Sequence, residues 1–421
     1  MNKIRFILII LLLFIAPNFL TYIGFDVKLF HAFIIALSIP LLFTIKEEVL
    51  SNKSLLAILI IVCSFSIHKL IVDTGEGARM AVLQILGAPI IYAAIPKLNY
   101  KLNKSNVILW RKFSIVFFFF YIIETGMAIL ERIIGHNIFG WSGGIMELSG
   151  QNIGGFRSTA LLGHPLSNAL IVSTMMSFIL FSQIKLRLKL ILWVLGYLAI
   201  LCFNTRSSIV GNAMIFATYF LYTLFMDKTI KHKDKKILVF LSICIFLALM
   251  IIITTTQIGG RLFELGLFDE GSAQVRINTW SIFNYFKLED FLWGIDYDHI
   301  QMILYSTGIL ATENFWIDFL FSFGFVFLCI YTILYIVLCT QLFKHYKFFN
   351  KACIIGTFIL IASTNNSLST SFLPLFIFIF ISHIFDPKYT RILIPPKYLN
   401  YKIYKSYQDR KRIQNKCTKI I

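Results

Sequence analysis

The chain has 421 residues, of which 58% are hydrophobic and only 14% are charged, and its formal net charge is +18. A soluble globular protein is about half apolar and about one quarter charged, so these values exclude a soluble globule and indicate a protein that has the lipid bilayer as its solvent. The basic residues lie in short segments between apolar runs. We therefore attribute the charge to membrane topology and anionic lipid, and expect no nucleic-acid partner.

Twelve apolar runs follow one another along the chain and predict twelve membrane-spanning helices. A spanning helix needs roughly 20 mostly apolar residues, because any less regular backbone leaves polar groups unpaired in hydrocarbon. The first run lacks a small-x-small cleavage site, so we interpret it as a retained helix rather than a signal peptide. The predicted spans are approximately residues 4–23, 28–45, 54–72, 78–96, 112–131, 165–183, 187–203, 207–226, 236–255, 315–340, 351–365 and 369–386.

The distribution of Lys and Arg predicts the orientation of these spans. If the amino terminus is inside, the cytoplasmic segments hold most of the 39 Lys and Arg, and residues 387–421 alone hold ten. The positive-inside rule therefore places both termini in the cytoplasm. We predict a single polytopic membrane domain over residues 1–386 and a basic cytoplasmic tail over residues 387–421.

Two outward segments, at about residues 132–164 and 256–314, are longer than simple connections. Loops of more than about 12–15 residues are usually functional or disordered. The second segment, before the tenth span, is rich in aromatic residues, which is unlike a disordered linker. We expect it to form short helices on the outer membrane surface. Its aromatic residues include Trp280, Phe283, Tyr285, Phe286, Phe291 and Trp293.

Five arginines lie in segments predicted to face outward, where the positive-inside rule does not favour them, and three of these have distinctive neighbours. Arg157 precedes the sixth span, Arg206 lies in the short hairpin before the eighth, and Arg276 lies in the second long loop. Arginine presents a planar fork of donors that matches phosphate oxygens two at a time. Three arginines that converge on one cavity would suit a diphosphate at the lipid surface. The alternative is that each caps a helix end, pairs with a carboxylate or meets lipid headgroups.

Two glutamates and two histidines are further candidates for chemistry. Glu313 lies where the chain re-enters the membrane, so it is either a general base with a pKa raised by burial or an acidic cap of the tenth span. Glu124 lies inside the fifth span, where ionisable residues usually face a cavity or a partner. His164 and His299 have no Cys or second His at a metal-binding spacing, so we expect neither a metal nor a cofactor.

Several short motifs within roughly residues 150–340 occur together on the predicted outward side. They are Arg157 with Gly163-His164-Pro165, Thr205-Arg206-Ser207, Arg276 with Trp280 and Trp293-Gly294-Ile295, and Glu313-Asn314 with Gly324. In these motifs and their order the chain resembles the O-antigen polymerase and O-antigen ligase superfamily. The resemblance implies an all-α integral protein of the bacterial inner membrane with a GT-C-like glycosyltransferase architecture. It also implies undecaprenyl-diphosphate-linked glycans as substrates, and chain-length regulator and flippase proteins as partners.

The pair Glu313-Asn314 separates the two branches of this superfamily. In the ligases a His-Asn-type pair stands nine residues before a glycine, whereas here Glu313 replaces the histidine and Gly324 follows at the same spacing. The resemblance therefore favours a Wzy-type polymerase of O-antigen or capsule repeats over a ligase that transfers glycan to lipid A-core or protein. A lipid-linked sugar transporter, or flippase, is the alternative from another class, although the internal repeat typical of transporters is not evident.

The resulting hypothesis gives each candidate residue a role in glycosyl transfer. Arg206 and Arg276, with Arg157, would hold the donor diphosphate and stabilise the charge that develops as it leaves. Glu313 would accept the proton of the acceptor hydroxyl. The remaining candidates for substrate binding are Asn314, His164, His299 and Glu124.

Overall fold

The computed structural model shows an all-α membrane protein, as the sequence predicts. It describes residues 1–15, 17–73, 76–98, 104–139, 156–227, 232–256, 258, 279–309, 312 and 314–395, and every regular element in these ranges is a helix. Helices occupy all twelve of the predicted apolar runs. The exact number of spans and the GT-C-like architecture stay predictions.

The helices are numbered here in chain order. They are α1 (Asn2–Phe14), α2 (Pro17–Tyr22), α3 (Val27–Phe43), α4 (Lys46–Ser51), α5 (Lys53–Val72), α6 (Glu76–Ala93), α7 (Lys104–Ile134), α8 (Pro165–Phe181), α9 (Leu186–Phe203), α10 (Arg206–Leu221), α11 (His232–Thr256), α12 (Leu288–Trp293), α13 (Tyr297–Ser306), α14 (Phe315–Leu342), α15 (Phe348–Ala362), α16 (Ser367–Thr370), α17 (Leu373–Ile384) and α18 (Thr390–Leu393). A π-helical turn at Tyr222–Met226 continues α10, and a 3-10 turn at Trp280–Tyr285 precedes α12.

Length and composition separate two groups of apolar helices within the described ranges. Six are long and apolar enough to cross a membrane, in α5, α7, α9, α10 with its π-helical turn, α11 and α14. Five more are apolar but contain only 10–17 residues, in α3, α6, α8, α15 and α17. The predicted first span is divided into α1 and α2, because Pro17 at the start of α2 has no N–H to continue the helical hydrogen bonding.

The centre and the periphery of the bundle differ in how their apolar side chains are covered. In α8, 16 of the 17 residues are buried, and Phe178 stacks on Phe343 with a ring centroid distance of 5.8 Å. In α11, by contrast, only 11% of the most apolar window is buried, and Phe240 and Phe246 are exposed. A soluble protein rarely exposes so large an apolar face, so α11 lies where the bilayer covers it.

Both described ends of the chain lie at the same end of the bundle, which we call the proximal end. The Asn2 side-chain amide donates to Ser105 Oγ at 2.8 Å, near the start of α7. The Arg111 guanidinium, also in α7, donates from Nε to Ile392 O at 2.7 Å in α18. The first residues of the predicted tail therefore pack against the bundle; residues 396–421 lie outside the described ranges. We call the opposite end the distal end; which end faces the cytoplasm stays a prediction.

Helices α15 and α17 are too short to cross a bilayer completely. They contain 15 and 12 residues, or about 22 and 18 Å at 1.5 Å per residue, against a hydrocarbon thickness of about 30 Å. At their proximal ends a hydrogen bond of 2.9 Å joins His345 Nδ1 to Asp386 Oδ2. Their distal connection, residues 363–372, contacts the starts of α10 and α14, where Thr364 Oγ1 donates to Ser207 Oγ at 2.8 Å and the Phe315 N–H donates to Asn365 O at 3.1 Å.

The described part of the second long loop, residues 279–309, folds as short helices with a core of their own. Ile282, Ile303 and Leu304 pack there with Phe321 of α14. The prediction of short helices is thus confirmed for these residues. Their position on the outer membrane surface stays a prediction.

Two buried side chains of α5 attach this loop to the membrane bundle. Lys69 donates from Nζ to Ile295 O at 2.7 Å and lies 3.4 Å from the Asp73 carboxylate. Asp73 in turn accepts the Tyr297 N–H at 3.1 Å. Because the ion pair is buried, removal of either partner leaves the other charge buried without a counterion. The pair therefore holds the loop only while both residues are present.

Candidate functional site

A cavity of about 360 Å³ lies at the distal end of the bundle, among α2, α3, α6, α8 and the connection between α15 and α17. Residues between 366 and 374, which connect α15 to the start of α17, form one of its walls. Apolar side chains, among them Leu162 and Ile171, line part of it. The polar residues that give it chemical character are Lys28, His31, Gln84, His164, Asn366 and Thr370.

His164 is the predicted site residue that lines this cavity. Its backbone is extended, with φ −134° and ψ 120°, as expected for a residue that precedes a proline, and Pro165 then begins α8. Burial, together with the positive charge of Arg157, lowers the pKa of His164 to about 4. The imidazole is therefore neutral near pH 7, and one ring nitrogen is a hydrogen-bond donor and the other an acceptor.

Two carboxylates of α7 hold the chain segment that leads to His164. Glu131 accepts the N–H groups of Thr159 and Ala160 at 2.7 and 2.9 Å through one oxygen and that of Ile138 at 3.0 Å through the other. Glu124, which is completely buried, accepts the Leu161 N–H at 3.1 Å. This contact gives Glu124 a structural role next to the cavity; its predicted contact with substrate stays a prediction.

The backbone of this segment is strained at one residue. Ala160 has φ 41°, in the left-handed region that costs a non-glycine residue about 1–2 kcal/mol. The N–H groups of residues 159–161 donate to the side chains of Glu131 and Glu124. These hydrogen bonds compensate the strain and fix the chain before His164.

The structure places Arg157 and Arg206 in neighbouring segments, and neither is among the residues that line the distal cavity. The Arg157 guanidinium donates from Nε to Phe203 O at 3.1 Å, and the Ser158 N–H donates to Cys202 O at 3.1 Å. The chain then turns at Asn204, which has φ 54°, and Arg206 begins α10. Arg157 therefore lies beside the turn that positions Arg206, and it also has a local backbone partner. Arg276 lies outside the described residues.

Asn314 occupies the start of α14, close to the same region. Its side chain accepts the Trp316 N–H at 2.9 Å, which makes it the N-cap of the helix. The N–H of Phe315, the residue after Asn314, donates to Asn365 O at 3.1 Å. The Asn366 side chain donates to Thr312 O at 2.9 Å. The residues on both sides of Glu313 thus contact the wall of the cavity, and Glu313 itself lies outside the described residues.

The sequence analysis missed several polar groups of the distal end. Asp318, one turn into α14, accepts a hydrogen bond of 2.5 Å from Ser369 Oγ, next to Thr370 in the cavity wall. Lys28 and His31 lie three residues apart at the distal start of α3, hence on one face of that helix. Polar residues at helical spacing in an otherwise apolar run were the signal that pointed to them.

His299 is not brought to the cavity. It lies in α13, its side chain is exposed, and its backbone N–H donates to Asp296 Oδ1 at 2.6 Å as part of the helix N-cap. Within the described ranges no group of three or more His, Cys, Asp and Glu has the geometry to hold a metal ion. The polar side chains that line the cavity are one lysine, two imidazoles, two amides and several hydroxyls.

Comparison with known proteins does not extend these observations. The chain matches no protein-family model, no curated protein and no solved structure. The resemblance to the O-antigen polymerase and ligase superfamily thus depends on the short motifs alone. The geometry of the distal cavity is the independent basis for a functional proposal.

Proposed function

We propose that this protein is a metal-independent glycosyltransferase that polymerises undecaprenyl-diphosphate-linked oligosaccharide repeats into O-antigen or capsular polysaccharide. The observation that carries the proposal is the distal cavity, in which a lysine and uncharged hydrogen-bonding groups meet an apolar wall. A lipid-linked diphosphate has the same division into an anionic head and an apolar tail. The proposal places the reaction at the outward face of the bacterial inner membrane.

The donor in this reaction is a growing glycan on the lipid diphosphate, and the acceptor is a lipid-linked repeat. An acceptor hydroxyl oxygen forms a bond to the anomeric carbon of the donor, the bond from that carbon to the diphosphate oxygen breaks, and the lipid diphosphate leaves. Lys28, Arg157 and Arg206 supply positive charge for the leaving group, with Arg276. A carboxylate accepts the proton of the hydroxyl; Glu313 is the first candidate.

The test is the length of surface glycan in cells that carry single substitutions. Arg206→Ala and Lys28→Ala should shorten the polymer to single repeats, while Arg206→Lys, which keeps the charge but loses the planar fork, should retain part of the activity. Lys53→Ala, an exposed lysine at the proximal end, is the matched control. Long-chain glycan at normal protein levels in both alanine variants would contradict the proposal.

A ligase within the same superfamily and a lipid-linked sugar transporter are the other candidates. The transporter has one observation in its favour, since short helices joined by a break, as α15 and α17 are, occur at transporter sites. Deletion of the gene separates the three functions. Single-repeat glycan indicates a polymerase, free lipid-linked polymer indicates a ligase, and loss of all outward glycan indicates a transporter.

A further inference from the structure

A second cavity lies at the proximal end of the bundle, on its outer surface. This groove, of about 310 Å³, runs between α7 and α9 and is closed by Ile394 and Pro395 after α18. Apart from Ser114 its lining is apolar, and it includes Ile115 and Phe119, which are exposed. In a membrane-spanning bundle an exposed apolar groove of this kind faces acyl chains.

The mouth of the groove is bordered by positive charge. Arg111 lies three residues before Ser114 on α7, hence one turn from a lining residue on the same helix face. Lys185 is the N-cap residue of α9, next to Ile184 in the lining. Arg187 is a third exposed cation at the start of α9. The Arg111 guanidinium also donates a hydrogen bond to Ile392 O, and this contact fixes the segment that closes the groove.

No negative charge in the contributing segments balances these cations. Residues 104–122, 182–192 and 388–395, which form the groove and its border, contain no Asp or Glu. Each Lys or Arg near a membrane surface attracts anionic lipid by about 1 kcal/mol. The carboxylate of Asp227 lies near Lys189 of α9, outside these segments. An apolar groove with a basic border matches a phosphate head joined to an acyl chain.

We propose that the α7–α9 groove binds one anionic phospholipid, with an acyl chain between the helices and the phosphate beside Arg111, Lys185 and Arg187. The lipid joins the start of α7 to the start of α9 and to the segment that follows α18. This site is separate from the distal cavity and does not depend on the proposed enzymatic function. It accounts for a cluster of cations that the glycosyltransferase mechanism does not use.

Native mass spectrometry of the full-length protein in a neutral detergent tests this site. The probes are phosphatidylglycerol and phosphatidylcholine with identical acyl chains, added at equal concentrations. We expect the protein to retain one phosphatidylglycerol in preference to phosphatidylcholine. The variant Lys185→Ala/Arg187→Ala should weaken phosphatidylglycerol binding by roughly thirtyfold, because two cations are lost.

Two further variants separate the headgroup and the acyl chain. Lys46→Ala/Lys53→Ala removes the same charge from exposed proximal positions away from the groove and should bind phosphatidylglycerol as the unmodified protein does. Ile115→Trp fills the groove and should reduce the binding of both lipids. Glycerol phosphate, which has the headgroup charge without a chain, should not displace the bound lipid.

Three results would overturn the proposal. The first is equal retention of the two lipids by the unmodified protein, and the second is undiminished phosphatidylglycerol binding by Lys185→Ala/Arg187→Ala. The third is displacement by glycerol phosphate, which would indicate a simple phosphate site. Since glycan length is not part of this experiment, its failure would leave the proposed enzymatic function untouched.

Discussion

Gly324 interrupts α14, and the loop that precedes this helix in the chain packs directly against the interruption. Gly324 has φ 79° and ψ 171°, a conformation essentially confined to glycine. A Cβ atom at this position would lie 2.3 Å from Leu292 O and 2.6 Å from Gly294 N. The Ile295 N–H donates to Phe321 O at 2.9 Å next to this contact. We predict that Gly324→Ala separates the loop from the helix.

The size of this effect follows from two contributions. An alanine in the glycine-only region costs about 1–3 kcal/mol, and loss of the hydrogen bond between Ile295 and Phe321 costs about 1 kcal/mol more. The contacting atoms at Leu292 and Gly294 are backbone, so a change of side-chain rotamer does not relieve the overlap. We therefore expect the free energy of unfolding to fall by about 3 kcal/mol.

Thermal unfolding of the purified protein in detergent, combined with limited proteolysis, measures this change. Gly324→Ala should lower the midpoint of unfolding and increase cleavage within residues 279–309. Gly356→Ala is the matched control, because it lies in α15 and a Cβ atom there meets no atom within 4 Å. That variant should be neutral or slightly stabilising, since alanine is the better helix former. A Gly324→Ala protein as stable and as protease-resistant as Gly356→Ala would refute the reasoning.

Three more substitutions test contacts near the distal end by the same unfolding measurement. Glu131→Gln should lower the free energy of unfolding by about 2 kcal/mol, because an amide accepts backbone N–H groups less strongly than a carboxylate. Ala160→Gly should raise the free energy of unfolding by about 1 kcal/mol, because glycine relieves the strain of the positive φ. A Glu131→Gln protein of unchanged stability would contradict this role of Glu131. Lys69→Met should cost about 3 kcal/mol, because it leaves the Asp73 carboxylate buried without its cation, and equal stability would show that the pair does not hold the loop. The folded-state pKa of His164, about 4, lies below its ordinary value of 6.5, so the unfolded chain binds the proton more readily and stability should fall as the pH is lowered from about 6.5 towards 4. His164→Gln should lack this part of the pH dependence, and identical pH profiles would rule it out.

The membrane class and the course of the helices were accessible from the sequence. Apolar runs of spanning length report a property of each local segment, so the helices lie where the runs lie. The short helices of the loop around Trp280 and Trp293 could also be predicted, because its aromatic residues are typical of a packed segment. The short apolar runs of α15 and α17 were visible as well, but not that the connection between them forms a wall of the cavity.

The candidate site was only partly accessible. The positive-inside rule singled out Arg157 and Arg206, and the structure places them at neighbouring turns. It did not single out Lys28 or His31, because a lysine and a histidine near a helix end are unremarkable until another segment closes a cavity over them. Glu131 was missed for a similar reason, since its backbone partners are about 28 residues away in sequence.

By itself the sequence determined that this chain is a membrane protein, where its helices lie and which charged residues are unusual among them. These properties depend on short segments and on the free energy of their transfer to lipid. Only the tertiary structure decided that Gly324 packs against the backbone at Gly294, that Glu131 bonds the segment before His164, and that polar side chains from several helices surround one distal cavity. Such contacts join backbone groups far apart in the chain, and no local pattern of residues specifies the path that brings them together.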